Sequence, residues 1–277
     1  MSDYVAGFVN TKKVTLTKEK LHSLYQVIAA LYENDERPWV IGYSGGKDST
    51  AVLQLVWIAI SSLPADRRKK QVFVISSDTL VETPVITTHI HGSLDRINKA
   101  AAAQSMPFSA HKVRPQLDDT FWVNLIGRGY PAPYSRFRWC TDRMKIKPAT
   151  KFIYEQIGRF GEVILVLGAR ISESTTRGQL MKKRAEKSNL GECLSRHCEI
   201  PGAWVFTPIE DWETDDVWMH LLNTPSPWGN NNRDLVTMYK NAQAGECPLV
   251  VDTTTPSCGN SRFGCWTLPV ALRMWAM

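Results

Sequence analysis

Apolar residues along this chain recur with two spacings. Over residues 17–34, Leu21, Leu24, Ile28 and Leu31 return every three or four positions, which predicts an amphipathic helix. Residues 38–43 (Pro-Trp-Val-Ile-Gly-Tyr) and 72–76 (Val-Phe-Val-Ile-Ser) are short apolar runs, the pattern of strands buried on both faces. Between them, residues 48–62 predict a helix that is apolar almost all round. Such a helix needs a sheet on one side and other elements on the other. A helix near residues 84–104, an alternating and more edge-like strand at 108–113, a strand at 162–167 and one at 203–206 continue the series. Short buried strands alternating with helices predict an α/β fold, a parallel sheet flanked by helices with right-handed crossovers. Ligands in such sheets lie beyond the strand C-terminal ends. Residues 44–49, 77–82 and 168–177 all fall there. After Thr207 the chain turns helical and then loop-rich, with Pro225, Pro227, Pro248 and Pro256. The expected division is an N-terminal helix over residues 1–36, a ligand-binding α/β domain over 37–210 and a C-terminal appendage over 211–277.

Composition narrows the class. The 277 residues are 43% apolar and 22% charged, which excludes a disordered tail, a collagen-like rod or a low-complexity scaffold. A chain this long buries a full core without metal or disulfide staples. The most apolar stretch, residues 51–60, is interrupted by Gln54 and is too short to cross a bilayer. The first residues (Met-Ser-Asp-Tyr) lack the basic and apolar regions of a signal peptide. A cytoplasmic protein without membrane contact is expected. There, six cysteines are thiols or metal ligands rather than disulfides. A net charge of +6 permits a polyanionic partner. The ten tryptophans are dispersed, as core and pocket walls are.

The chemistry is most concentrated in Ser44-Gly45-Gly46-Lys47-Asp48-Ser49, between the first strand and the apolar helix. The glycines let backbone N–H groups approach phosphate oxygens. The helix N-terminus adds positive potential, and Ser44, Lys47 and Ser49 add donors. This is not a Walker A loop: from Gly42 the spacing to the Gly-Lys pair is one residue short, and Asp48 stands where a Mg²⁺-binding hydroxyl would be. Asp78, at the end of the second strand in Ser77-Asp78-Thr79, is a candidate for ribose or Mg²⁺, or else a helix N-cap. Arg170 and Arg177, in the stretch Gly168-Ala169-Arg170-Ile171-Ser172-Glu173-Ser174 to Arg177, are candidates for bidentate phosphate contacts, with a solvated basic loop as the alternative. The Ser-Gly-Gly-Lys-Asp-Ser string resembles the PP-loop of the ATP pyrophosphatases. That resemblance implies an adenine nucleotide α-hydrolase-like fold and cleavage of ATP, as its Mg²⁺ complex, between the α- and β-phosphates. The Asp78 and Arg170 segments are similar to those of the sulfate-assimilation branch.

Cys247, Cys258 and Cys265 crowd into one Pro/Gly/Asn-rich loop, and Cys140 sits among Arg136, Arg138, Arg143, Lys145 and Lys147. Cationic neighbours favour thiolate. Four thiolates from a distant segment and one loop suit an Fe–S cluster, a structural zinc, or no shared site at all. Cys193, His197 and Cys198 lie within six residues, but a fourth zinc ligand is not evident. Cys-Thr-Asp-Arg…Lys-x-Lys-Pro, Pro208-Ile209-Glu210-Asp211-Trp212, Asp216-Val217-Trp218 and the cysteine loop, joined to the PP-loop, resemble the DndC/SspD-type sulfurtransferases of DNA phosphorothioation. The resemblance runs from about residue 39 to 266. It implies a [4Fe–4S] cluster on Cys140, Cys247, Cys258 and Cys265, and ATP held at Ser44, Gly45, Gly46, Lys47, Asp48 and Ser49. It makes Lys47, Asp48, Arg170 and Cys140 the candidate catalytic residues. Its implied partners are DNA, a cysteine desulfurase as sulfur donor and other subunits of a phosphorothioation complex. The chain departs from that family in having only twelve residues after Cys265.

Basic residues gather at 136–151 and 168–187, the first set interleaved with Tyr130, Tyr134, Phe137 and Trp139. Cations track phosphates and rings stack on unpaired bases, so nucleic acid fits these segments slightly better than a small anion. The run Arg67-Arg68-Lys69-Lys70 reads as solvated charge in a turn at the opposite edge. Sulfonucleotide reduction, tRNA thiolation and a non-catalytic Fe–S/ATP-binding subunit are the alternatives.

Overall fold

Thr17 accepts a hydrogen bond from the Lys20 amide and so starts α1 (Lys18–Asn34), whose Ile28 and Tyr32 are buried. The computed structural model describes residues 14–134, 137–173 and 193–243. After α1 come β1 (Trp39–Gly42), α2 (Lys47–Ser61), β2 (Val72–Ser77), α3 (Pro84–Ala103) and β3 (Phe108–Val113). A single helical turn, α4 (Trp139–Thr141), leads through a wide turn into α5 (Lys147–Phe160). β4 (Val163–Val166), β5 (Leu194–Arg196), β6 (Ala203–Phe206), α6 (Thr214–Asn223) and α7 (Asn232–Gln243) complete the described elements.

The six strands are ordered β3-β2-β1-β4-β6-β5. All pairs are parallel except β5 with β6, where Leu194 faces Phe206 and Arg196 faces Trp204. The predicted α/β fold and its five expected strands are therefore present, and β3 is an edge as its alternation implied. β5 was not foreseen. Residues 194–196, inside the stretch weighed above for zinc, add a short antiparallel edge held by β6.

Alternate residues of each strand feed opposite faces of the sheet. Trp39, Ile41, Val72, Val74, Ile164 and Val166 pack with α1, α2, α3, α6 and α7. Val40, Phe73, Ile75, Val163 and Leu165 pack with α5. The described part of the appendage shares the first of these cores through Trp218, Leu221, Leu235 and Val236. Polar ties reinforce it. Gln54, buried in α2, donates to the Asn232 Oδ1 at 3.0 Å, and Asn232 donates to the carbonyls of Leu221 and Thr224. The Asp216 carboxylate accepts from the amides of Thr15 and Leu16, which ties the chain ahead of α1 to α6.

Two titratable side chains are drawn out of water by the packing. Lys70, read above as solvated, lies over the rings of Tyr32 (4.6 Å) and Trp39 (5.2 Å), and burial pushes its pKa down to about 8. Its ammonium sits over two aromatic faces, a cation–π contact that composition alone does not reveal. His220 in α6 is buried edge-on to Trp212, and burial holds its pKa at about 4 against an ordinary 6.5. The unfolded chain takes up a proton near pH 6.5 that the folded chain refuses until about pH 4. Stability is therefore full at neutral pH and falls as pH drops through that window, by about 2 kcal/mol at pH 5. Urea midpoints at pH 7 and pH 5 measure the loss. His220→Phe is expected to flatten it, and an undiminished loss in that variant shows another group to be responsible.

Candidate active site

β2 and β4 flank β1, and their connections leave on opposite faces of the sheet. The C-terminal ends of β1 and β4 therefore open a crevice at a topological switch point. The loop after β1 fills its floor. The Ser44 amide donates to Ser49 Oγ at 3.2 Å, the two serine hydroxyls lie 3.1 Å apart, and Ser49 Oγ donates to the Gly46 carbonyl. Gly45 has φ +72, a conformation open to glycine, and a Cβ there would meet Ile90 Cγ1 at 3.0 Å. Gly46 is the N-cap of α2 and has no side chain to satisfy the first amides. Those amides and the helix dipole make an anion cradle.

The charges of the site are interlocked. Asp48 Oδ1 accepts from Arg170 Nε at 2.7 Å, and Oδ2 pairs with the Lys47 ammonium. Arg170 is only 3% exposed. Its remaining fork donates to Ser172 Oγ (3.0 Å) and the Trp212 carbonyl (3.2 Å). Residues 208–212 thus act as a brace behind Arg170, reinforced by the Ile171 amide donating to the Glu210 carbonyl. In this structure Arg170 positions Asp48 and does not reach outward as a free phosphate clamp. Gly168 follows β4, and its backbone lies against the start of α2: a Cβ there would be 2.9 Å from the Asp48 carbonyl carbon.

Asp78 directly follows β2 and is held by Arg114 Nε and Nη2, both at 2.8 Å, with His91 Nε2 at 3.4 Å. It does not cap α3; Thr83 does, accepting from the Ile86 amide. The hydroxyls of Ser76 and Thr79 beside it are buried without a partner among the described residues.

Three contacts of the site were not foreseen. Tyr239 of α7 accepts from the Lys47 amide at 3.2 Å, so its hydroxyl occupies an anion position at the start of α2. His89 of α3 lies 3.3 Å from the Gly45 carbonyl, with its pKa lowered chiefly by burial. Arg114 neutralises Asp78. Tyr239 and Lys47 are 192 positions apart, and no local signal links them.

Cys140 is buried at 3% exposure among Val81, Phe121, Trp139 and Met144. Two of the cations expected near it are engaged elsewhere: Arg143 donates to Asp119 (2.7 Å) and Tyr130 (2.8 Å), and Lys147 to Asp119 (3.3 Å). Its packing partners in that cluster are apolar. Arg136, Arg177, Cys247, Cys258 and Cys265 lie outside the described residues. Among the described residues no three His, Cys, Asp or Glu side chains gather to hold a metal ion. Cys193 and Cys198 are exposed at the ends of β5, and His197 Nδ1 accepts from the amides of Glu199 and Ile200. No described helix is long and apolar enough to cross a membrane.

The chain is 26% identical over 197 residues to an uncharacterized protein of Methanocaldococcus jannaschii, covering 71% of this chain and 34% of that one. It therefore spans about a third of the length of that relative. Similar solved structures include the phosphoadenylyl-sulfate reductase of Candida auris in its phosphate complex. The match has a TM-score of 0.43 and 17% identity, over 76% of this chain and 87% of that one. The U34-tRNA thiolase NcsA of Methanococcus maripaludis, solved with its [4Fe–4S] cluster, gives a TM-score of 0.45 and 16% identity, over 83% and 73% of the two chains. The family model for the phosphoadenosine phosphosulfate reductase domain matches residues 38–230, from β1 past the end of α6, and the chain belongs to that family.

Proposed function

We propose that this chain is an ATP pyrophosphatase of sulfur transfer, which adenylates a DNA backbone phosphate and supports replacement of the activated oxygen by sulfur. The observation that carries the ATP half is the Lys47–Asp48–Arg170 set at the start of α2, in a loop that lacks the Walker A spacing of γ-phosphate transfer and resembles the PP-loop. A non-bridging oxygen of the acceptor phosphate attacks the α-phosphorus of ATP. The bond from that phosphorus to the bridging oxygen breaks, and pyrophosphate leaves with the electron pair. A sulfur nucleophile at the sulfide level then attacks the acceptor phosphorus and AMP departs. Lys47 and the α2 amides balance the charge that grows on the leaving pyrophosphate, while Asp48 and Arg170 hold Lys47 in place.

The DNA half is supported by the sequence resemblance around Cys140 and the cysteine loop. A cysteine desulfurase is the sulfur source in this reading: its persulfide carries sulfane sulfur, and a thiol reductant brings it to the sulfide level by two electrons, becoming a disulfide; other subunits of a phosphorothioation complex act alongside. The burial of Cys140 against Val81, Phe121, Trp139 and Met144 suits a ligand to an Fe–S cluster, with Cys247, Cys258 and Cys265 as the other ligands. Such a cluster, when bound, supplies bridging sulfide and redox capacity. Asp48 and Asp78 are both neutralised by cations, so Mg²⁺ fits as an ion carried by the ATP phosphates.

The family match favours one second reading, reduction of a sulfonucleotide. Incubation with ATP, acceptor DNA and a sulfide source separates them. AMP, pyrophosphate and sulfur in the DNA backbone, read by mass spectrometry of nuclease digests, are expected. ADP and phosphate as products overturn the proposal, and sulfite released from phosphoadenylylsulfate replaces it with the reductase.

A further inference from the structure

We infer that a cavity between the end of β3 and the start of α5, separate from the nucleotide crevice, holds the backbone of a single-stranded DNA acceptor. The identification of the polymer as DNA rests on the function proposed above; the preference for phosphate does not. The cavity measures ≈ 380 Å³ and is lined by Lys112, Arg114, Arg143, Lys147 and Lys151, against two carboxylates, Asp119 and Glu155. Asp119 is shared between Arg143 and Lys147, so one carboxylate answers two cations. Lys112 and Lys151 have no ion pair among the described residues. A surplus of positive charge around a concave space is the setting that takes phosphate oxygens.

Its position joins it to the chemistry. β3 is parallel to β2 and β2 to β1, so Lys112 and Arg114 end on the same rim of the sheet as the Ser44–Ser49 loop. Asp78, at the end of β2, links the two through its pair with Arg114. An adjoining cavity of ≈ 710 Å³ shares Lys147, Lys151 and Glu155 and adds Tyr154, which is 47% exposed. Lys147, Lys151 and Tyr154 follow one another at helical spacings of four and three, on one face of α5. Asp142 and Glu199 make this second cavity unsuited to phosphate. Carboxylates accept from base amino groups, and an exposed ring stacks on an unpaired base. The pair of cavities therefore sorts a strand, phosphates toward β3 and a base toward Tyr154. A duplex, with its bases stacked inside, offers nothing to the second cavity.

Fluorescence anisotropy of the full chain with a labelled single-stranded oligodeoxynucleotide of about a dozen nucleotides tests this. The K112A/K151A variant is expected to bind about tenfold more weakly at low salt. Its slope of log affinity against log salt should be shallower by about 1.4, two phosphate contacts at about 0.7 each. K112R/K151R restores both, which separates charge from misfolding. Tyr154→Ala weakens binding about fivefold or more without changing the slope. An unchanged affinity and slope in K112A/K151A overturn the inference. Duplex bound as tightly as single strand overturns the base site, and RNA bound more tightly than DNA overturns the choice of polymer. A strand that binds here yet never acquires sulfur defeats the proposed function and leaves this site standing. Sulfur incorporation with K112A/K151A binding intact does the reverse.

Discussion

Asp48→Ala is expected to cut pyrophosphate release from ATP by about a hundredfold or more. The Asp48 carboxylate is the shared counter-ion of two mostly buried cations, accepting from Arg170 Nε on one oxygen and pairing with Lys47 on the other. Without it Arg170 keeps its place, because Ser172 and the Trp212 carbonyl still hold its fork, but its charge is unanswered. Removing one partner of a buried pair costs about 3–5 kcal/mol. At 1.36 kcal/mol per factor of ten, even the lower figure exceeds a hundredfold if it falls on the reacting geometry. Lys47 loses the tether that sets where its ammonium meets the leaving phosphates. Asp48→Asn keeps the shape and one acceptor but not the charge, and an intermediate loss of about tenfold is expected. Arg170→Lys retains the charge but cannot reach Asp48, Ser172 and the Trp212 carbonyl together, so it should resemble Asp48→Ala. Pyrophosphate release at saturating ATP, with thermal melts alongside, distinguishes lost chemistry from lost fold. Turnover by Asp48→Asn within threefold of the parent would remove the ion-paired set from the mechanism.

That interlocking was only half readable beforehand. The string Ser44–Ser49 advertises a phosphate loop because its glycines and donors are contiguous. The strands of β1, β2, β4 and β6 were readable because strands covered on both faces are apolar throughout. Arg170 showed its charge but not its burial. Whether a guanidinium points at a ligand or at a neighbouring carboxylate depends on the Trp212 carbonyl, forty-two positions away. Tyr239 carried no signal, since a tyrosine on an amphipathic helix reads as core until its hydroxyl is seen against the Lys47 amide. β5 was hidden for another reason: Leu194-Ser195-Arg196 has little strand character of its own and is made a strand by pairing with β6. Lys70 was misread because a cationic run looks solvated, although one ammonium of the four sits over the rings of Tyr32 and Trp39.

Gly168→Ala is the second large effect expected, and it acts with no loss of a functional group. A methyl at Gly168 would sit 2.9 Å from the Asp48 carbonyl carbon and 3.0 Å from its oxygen, with the Ser49 amide nitrogen at 3.1 Å. These are backbone atoms of the first turn of α2, which is buried and cannot rotate away as a side-chain tip would. Relief requires β4's exit loop or the start of α2 to move, and either shift pulls Arg170 from Asp48. Overpacking of this kind costs about 1–3 kcal/mol, a fall of several degrees in Tm for a chain of this size. ATP affinity should drop by about tenfold or more, because the displaced atoms are the ones that form the anion cradle. Two other glycines grade the argument. At Gly42 the nearest atom to an added Cβ is the tip of Leu167 at 3.4 Å, so Gly42→Ala should be nearly silent. At Gly45 the obstacle is the side chains of Ile90 and His89 together with a φ of +72, so Gly45→Ala should fall between the two in stability while still disturbing the loop. Calorimetric ATP titrations and melts on the three variants give the order directly. If Gly168→Ala binds ATP as well as Gly42→Ala does, the close approach of β4's exit to α2 is not what shapes the nucleotide site.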